Sequence, residues 1–225
     1  MPAVAAVAGI ALTVALGFWQ LGRGDEKAAL AARLKEAQTG PLIAMSSAEV
    51  AAGDIAWRRV EVRGRFAPEY AVLIDNRVLH GTPGYHVVTP LKIDGGDRYV
   101  LVNRGWIAAA PDRRSMPEVV TPAGPQRITG LAVVPASHQF ELSTKVADGN
   151  VWQNLTLERY RATVAIPIQA VVVQQDSELN DGLRREWGEA GPSPDRNYGY
   201  AFQWFAMAAA ILIYFVVTRV RKRAA

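Results

Sequence analysis

The chain has 225 residues, half of them apolar, with 25 basic against 21 acidic side chains and no cysteine. Disulfides, thiol chemistry and thiolate metal sites are therefore excluded, and Arg219, Arg221, Lys222 and Arg223 at the C-terminal end supply the whole excess of four positive charges. The rest of the chain is neutral and offers no basic face for a phosphate backbone, so nucleic acid is not an expected partner.

Pro2–Leu21 (PAVAAVAGIALTVALGFWQL) carries no charge. At roughly 1.5 Å per residue, a helix of that length crosses a hydrocarbon core of about 30 Å. The stretch lacks a basic leading region and a small-x-small site behind it, and so reads as an uncleaved anchor. Ala5, Gly9, Thr13 and Gly17 recur every fourth residue and share a face on which another helix can come close. Ala206 and Ala210, four apart in the second apolar stretch, suggest that the two spans pack on each other.

Beyond the first span, GDEKAALAARLKEAQ is rich in helix formers, and Gly40-Pro41 stops it. Residues 41–56 form a mixed connector with a short helical turn in AEVAAG. From Trp57 the period changes to two: in WRRVEVRGRF, Val60, Val62, Gly64 and Phe66 point one way and the charged residues the other. YAVLIDNRV, GYHVVTPLKI, RYVLVNRGWI, QRITGLAVV and AIPIQAVVVQQ read as further strands, with Asp94-Gly95-Gly96-Asp97 closing a hairpin. LTLERYRA makes about two helical turns. Tyr198–Thr218 is the second charge-free span, with Trp187, Tyr198 and Trp204 near one interfacial belt and RVRKR directly after it. The expected architecture is two transmembrane helices flanking an extracytoplasmic, mainly β domain, an antiparallel sheet curled into a barrel or half-barrel with short helices. Its divisions are a span at 1–22, the domain at 23–197, a span at 198–218 and a basic cytoplasmic tail at 219–225. Basic residues after the second span set both termini in the cytoplasm.

No phosphate-cradling loop, HExxH, CxxC or nucleophile elbow occurs, so the chain does not read as an enzyme. Imidazoles can ligate metal or haem iron: His80 and His86 flank Gly81-Thr82-Pro83-Gly84 and either meet across that bend or stand as a turn and a strand residue. His138, in PASHQFEL, reads as a surface loop residue. In VNRGWI the period of two puts Arg104 and Trp106 on one strand face and Asn103 on the other. An arginine on the core side is either paired, Asp75 being the candidate, or presented at the rim to an anionic partner. In the second span Tyr200, Gln203, Trp204, Met207 and Ile211 share a face, where an aromatic-rich mouth either holds a flat apolar molecule or forms an ordinary interfacial belt.

Taken together, GFWQLGRGDEK, WRRVEVRGRF, NRVLHGTPGYHVVTPL, YVLVNRGW and NYGYAFQWFAMA resemble the SURF1 (Surfeit locus protein 1, Shy1-like) family of cytochrome c oxidase assembly factors, in order and over nearly the whole chain. The resemblance implies a bacterial inner-membrane protein with a periplasmic domain that assists haem a insertion into subunit I of the haem-copper oxidase, or stabilises that subunit. Haem a would be transiently bound, and haem a synthase a further partner. An alternative is a scaffold that binds oxidase subunits without haem. The family's motifs fall on Trp19-Gln20 with Arg23 and Lys27, on Gly84-Tyr85, on Thr89-Pro90-Leu91, on Asn103-Arg104-Gly105-Trp106, on Tyr200-Ala201 and on Trp204-Phe205. Many members carry a histidine, a proposed haem ligand, where this chain has Asn197. Either His86 or His80 would then serve, or haem would be held without the usual axial bond, with Tyr200, Gln203 and Trp204 lining the mouth.

Overall fold

A computed structural model describes residues 2–110, 115–135, 147–188 and 192–224. The elements in chain order begin with α1 (Pro2–Thr39), β1 (Ile43–Met45), α2 (Ala52–Ile55), β2 (Arg59–Phe66), β3 (Val72–Leu79), β4 (Thr82–Ile93) and β5 (Tyr99–Ala108). They continue with β6 (Gln126–Val133), β7 (Ala147–Asp148), β8 (Val151–Trp152), α3 (Leu157–Thr163), β9 (Ile168–Gln175) and α4 (Asp195–Ala224). The chain divides into a helical unit, Met1–Glu36 with Glu189–Ala225, and a β unit, Ala37–Gly188.

In the helical unit, α1 runs from the apolar stretch into the charged one without a break, because no proline follows Pro2 until Pro41. Both α1 and α4 are long and apolar enough to cross a membrane. They lie antiparallel: a Cβ on Gly9 would sit 3.5 Å from Ile211, on Gly17 2.6 Å from Phe205 and on Gly24 2.5 Å from Tyr198, ascending one helix while descending the other. Only hydrogen at positions 17 and 24 leaves room for those rings, and Phe18 adds an edge-to-face contact with Phe205 at 5.3 Å. Of the expected small-residue face of α1, Gly9, Thr13 and Gly17 lie on the contact side, with Thr13 and Gly17 buried, while Ala5 is exposed. On α4 the contact uses Ala201, Phe205 and Ala208 instead of the expected Ala206 and Ala210, which are exposed. At 100° per residue, 201, 205 and 208 cluster, and 206 and 210 fall on the far side.

In the β unit, β2, β6, β9, β5 and β4 are neighbours in that order, and pairing of Gly64, Arg65 and Phe66 with Ile93, Lys92 and Leu91 joins β2 back to β4. The result is a five-stranded barrel, extended by β3, β8 and β7 beyond β4 and by β1 beyond β2. Closure requires glycine at 64, since any Cβ there would collide with the Lys92 carbonyl. The interior is filled from the alternating positions, Val60, Val62, Leu91, Val100, Val102, Ile128, Val171 and Val173. Each such side chain contributes about 1.5–3 kcal/mol of burial. A second core on the outer side of β3, β4, β5 and β9 packs Val72, Ile74, Val88, Leu101 and Val172 against Trp152 and Tyr160. Strand β5 is therefore covered on both faces, which explains its unbroken apolar run YVLV. Thr156 caps α3 by accepting from the Arg159 amide, and the Tyr160 hydroxyl donates to the Tyr70 carbonyl at 2.7 Å. Antiparallel pairing holds for β2–β4, β2–β6, β3–β4, β4–β5 and β6–β9, while β5–β9, joined by a long crossover, is parallel.

Candidate functional site

The residues singled out from sequence fall into groups within each unit. In the helical unit, Gln20 from α1 meets Asn197 from α4. The Asn197 Nδ2 donates to Gln20 Oε1 at 2.7 Å, and its Oδ1 accepts from Lys27 Nζ at 2.8 Å. Tyr198 donates to Asp25 Oδ1 at 3.0 Å, and Arg23 pairs with Glu26 one turn along its own helix. Trp19 remains largely exposed beside this clasp. Haem iron takes a histidine, cysteine, methionine or tyrosine donor, whereas Asn197 offers an amide whose oxygen is on an ammonium and whose nitrogen is on a second amide. The residues here do not fit a haem iron. Tyr200 and Gln203 are exposed on α4 and Trp204 is half-buried; none of the three belongs to the clasp.

In the β unit the Gly84-Tyr85 and Asn-Arg-Gly-Trp motifs lie side by side on β4 and β5, and a bulge governs how they meet. Val87 opposes Gly105 and Val88 opposes Asn103, so Arg104 is the extra residue. The expectation that Arg104 and Trp106 share a face is therefore corrected. Asn103 and Trp106 stand opposite Val88 and His86, two apart on β4, and hence lie on one face with them. Arg104 projects from the other. Period-two reading carries through a strand only while the ladder is regular.

On the outer face, His86 Nδ1 lies 3.4 Å from Asn103 Nδ2, and its ring meets Trp187 edge-on at 5.5 Å. Burial, aided by the positive charge of Arg77, pushes the His86 pKa down to about 4, so the imidazole is neutral under physiological conditions. Donation from Asn103 to Nδ1 leaves the proton on Nε2. The Trp106 ring covers Gly84, where a Cβ would be 2.5 Å away, and its Nε1 donates to the Arg77 carbonyl at 2.7 Å. Trp187 donates to the Gln175 carbonyl at 2.8 Å. His80 sits exposed in the β3–β4 turn with φ 48° and pairs with Glu186 at 2.6 Å. The two histidines thus take separate partners. His138 lies outside the described residues. Among the described residues no group of three or more His, Asp or Glu side chains is placed to hold a metal ion.

On the inner face, Arg104 is fully buried. It donates to Asp181 at 2.9 Å, to Thr121 at 2.8 Å and to the Val120 carbonyl at 2.7 Å, and it stacks over Phe66 at 4.9 Å. Its carboxylate partner is Asp181, not Asp75, which lies on β3 and accepts from the Asn76 amide. Arg185 also grips Asp181, with both contacts at 2.7 Å. Burial lowers the Arg104 pKa, and its hydrogen bond to the Asp181 carboxylate opposes that shift. Tyr85 is buried with Leu73, Val87 and Leu183. Sequence reasoning missed Asp181 and Arg185. Their spacing of four in NDGLRRE was the available signal, but a stretch rich in charge and glycine reads as surface.

A sequence profile of the SURF1 family matches residues 7–209, nearly the full chain. Similar relatives include a SURF1-like protein of Rickettsia bellii, 26% identical over 94% of this chain and 87% of the relative. Another, from Rickettsia felis, is 25% identical over 92% of each. A SURF1-like protein of Dictyostelium discoideum is 35% identical over 43% of this chain and 38% of its own. With the profile covering the barrel and reaching into both membrane-length helices, the chain belongs to the SURF1 family.

Proposed function

We propose that this protein assists assembly of cytochrome c oxidase as a membrane-anchored scaffold that binds oxidase subunits, subunit I foremost, without carrying haem. Membership in the SURF1 family supports the assembly role in general. The observation that carries the scaffold reading is the Asn197 amide, whose oxygen and nitrogen are both occupied by Lys27 and Gln20 where the family resemblance puts a haem-binding histidine. The basic residues after the second span support an orientation with both termini in the cytoplasm and the β unit outside it, in a bacterial inner membrane.

The test is the absorbance of the full-length protein purified from cells that make haem a, together with oxidase activity and subunit I levels after gene deletion. The scaffold reading expects a colourless protein and a loss of assembled oxidase. A Soret band at near-stoichiometric intensity overturns it.

A second reading keeps haem a, delivered to subunit I or received from haem a synthase, and is favoured by one feature. His86 is neutral and stands beside the Trp187 ring. It predicts a Soret band that His86→Ala abolishes and His80→Ala leaves in place.

A further inference from the structure

Strands β3, β4 and β5 carry, side by side on the outer face, three polar residues that the chain leaves incompletely paired. Arg77 on β3 stands opposite Gly84, two residues from His86 on β4, and Asn103 on β5 reaches His86 from the other side. Diagonal neighbours of this kind are about 7–8 Å apart, well within reach of an arginine. Among the described residues the Arg77 guanidinium makes no hydrogen bond or ion pair, and the His86 Nε2 proton meets no acceptor. Arg77 and His86 are both half-buried, so each still reaches the surface. On either flank of the imidazole, Arg77 Nε and Asn103 Oδ1 are shut off from water without a partner, and Asn103 as a whole is only 9% exposed. Folding rarely leaves buried polar atoms unsatisfied, and a pair of them around one imidazole marks a place that an incoming group completes. The acidic side chains at hand are already engaged. Asp75, whose charge favours the Arg77 cation, accepts from the Asn76 amide, and Glu186 is on His80. Arg184, 5.9 Å over the Trp106 ring, adds a second positive charge.

We propose that Arg77 and His86 form a receptor for an acidic side chain of a protein partner, one carboxylate oxygen taking the Arg77 guanidinium and the other the His86 Nε2–H. Two unpaired donors and a positive charge call for an oxyanion, and the planar guanidinium fork suits the two oxygens of a carboxylate. A phosphate brings three strong acceptor oxygens, more than the two groups can serve. Trp106, opposite His86, and Trp187, edge-on to its ring, offer apolar surface to the methylene groups of the incoming side chain. Tryptophan and arginine together are the residue types on which binding energy concentrates at protein interfaces. Asn103 is a positioning residue: by donating to Nδ1 it keeps the imidazole proton on Nε2, the nitrogen that faces away from it. That the partner is a protein rests on the scaffold reading; that the ligand is a carboxylate rests on the donors alone.

Acetate serves as the probe, with the full-length protein in detergent micelles at neutral pH. It should shift the NMR resonances of Arg77 Nε and His86 Cε1 along one saturable curve, while chloride at equal ionic strength moves neither. Arg77→Gln should weaken acetate binding at His86 about ten-fold, the effect of one charge-assisted hydrogen bond, and Arg65→Gln should leave it unchanged. Trp106 bonds to the main-chain carbonyl of Arg77, so the glutamine spares the packing of that ring and a loss of binding does not reflect unfolding. Asn103→Leu should weaken binding and bring an Nδ1-protonated form of His86 into the nitrogen spectrum. In cells, Arg77→Gln should lower the amount of subunit I that co-purifies with the protein. No saturable shift, tighter binding of inorganic phosphate than of acetate, or indifference to Arg77→Gln would each overturn the site. Acetate binding combined with undiminished co-purification of subunit I by Arg77→Gln would overturn the protein partner. A wild-type protein that binds acetate but brings down no oxidase subunit would overturn the scaffold reading, and the partner with it, but not the carboxylate site.

Discussion

Arg104 is the residue whose environment makes the firmest demand. Two guanidinium groups converge on one buried carboxylate, so removing Arg104 takes away a partner that Asp181 has no water to replace. Arg104→Met should destabilise the full-length protein by about 3 kcal/mol, read from the urea midpoint of tryptophan fluorescence. Arg65→Ala, on the exposed side of β2, should stay within about 0.5 kcal/mol. That Arg104 needed a buried partner was legible from the apolar residues around it; that the partner would be Asp181 was not, because the pairing spans 77 residues of sequence. His86 makes a different prediction. Its pKa falls from an ordinary 6.5 to about 4 on folding, so the unfolded chain binds the extra proton between those values. Stability from this residue is complete above pH 6.5 and is lost as pH falls toward 4, by up to about 3 kcal/mol. His86→Asn should flatten the dependence of unfolding free energy on pH in that window.

At the scale of elements, the strands were readable because β2, β4, β5, β6 and β9 keep a regular alternation or a continuous apolar run, and those patterns follow from burial alone. The bulge at Arg104 was invisible. It depends on how two strands pair, and Gly105, with φ 142°, permits it without announcing it. The helix contact was half readable: small residues marked the face of α1, whereas on α4 a contact made by Phe205 between two alanines carries no small-residue signature. Gly17→Leu should therefore disrupt the α1–α4 pair, while Gly22→Leu, with open space around its Cα, should not. Oxidative crosslinking of a Gly9→Cys, Ile211→Cys double variant would read this. Crosslinking should fall at least about five-fold with leucine at 17 and hold with leucine at 22.

For the molecule as a whole, the antiparallel pairing of α1 with α4 fixes what the unfolded state of the β unit can be. Both of its chain ends leave from a helical hairpin embedded in lipid, so a denatured β unit is a closed ring of about 150 residues rather than a free coil. Closing a loop of that size withholds entropy worth about 4–5 kcal/mol from the denatured ensemble. Cutting the chain once between residues 188 and 195 should lower the denaturation midpoint of the β unit even though it removes no contact within the barrel, and the comparison is made by proteolytic nicking in membranes followed by urea titration. A protein without a single cysteine thus obtains from its two lipid-soluble ends the constraint that a secreted domain draws from a covalent bridge, and it holds that constraint only while it remains in the bilayer.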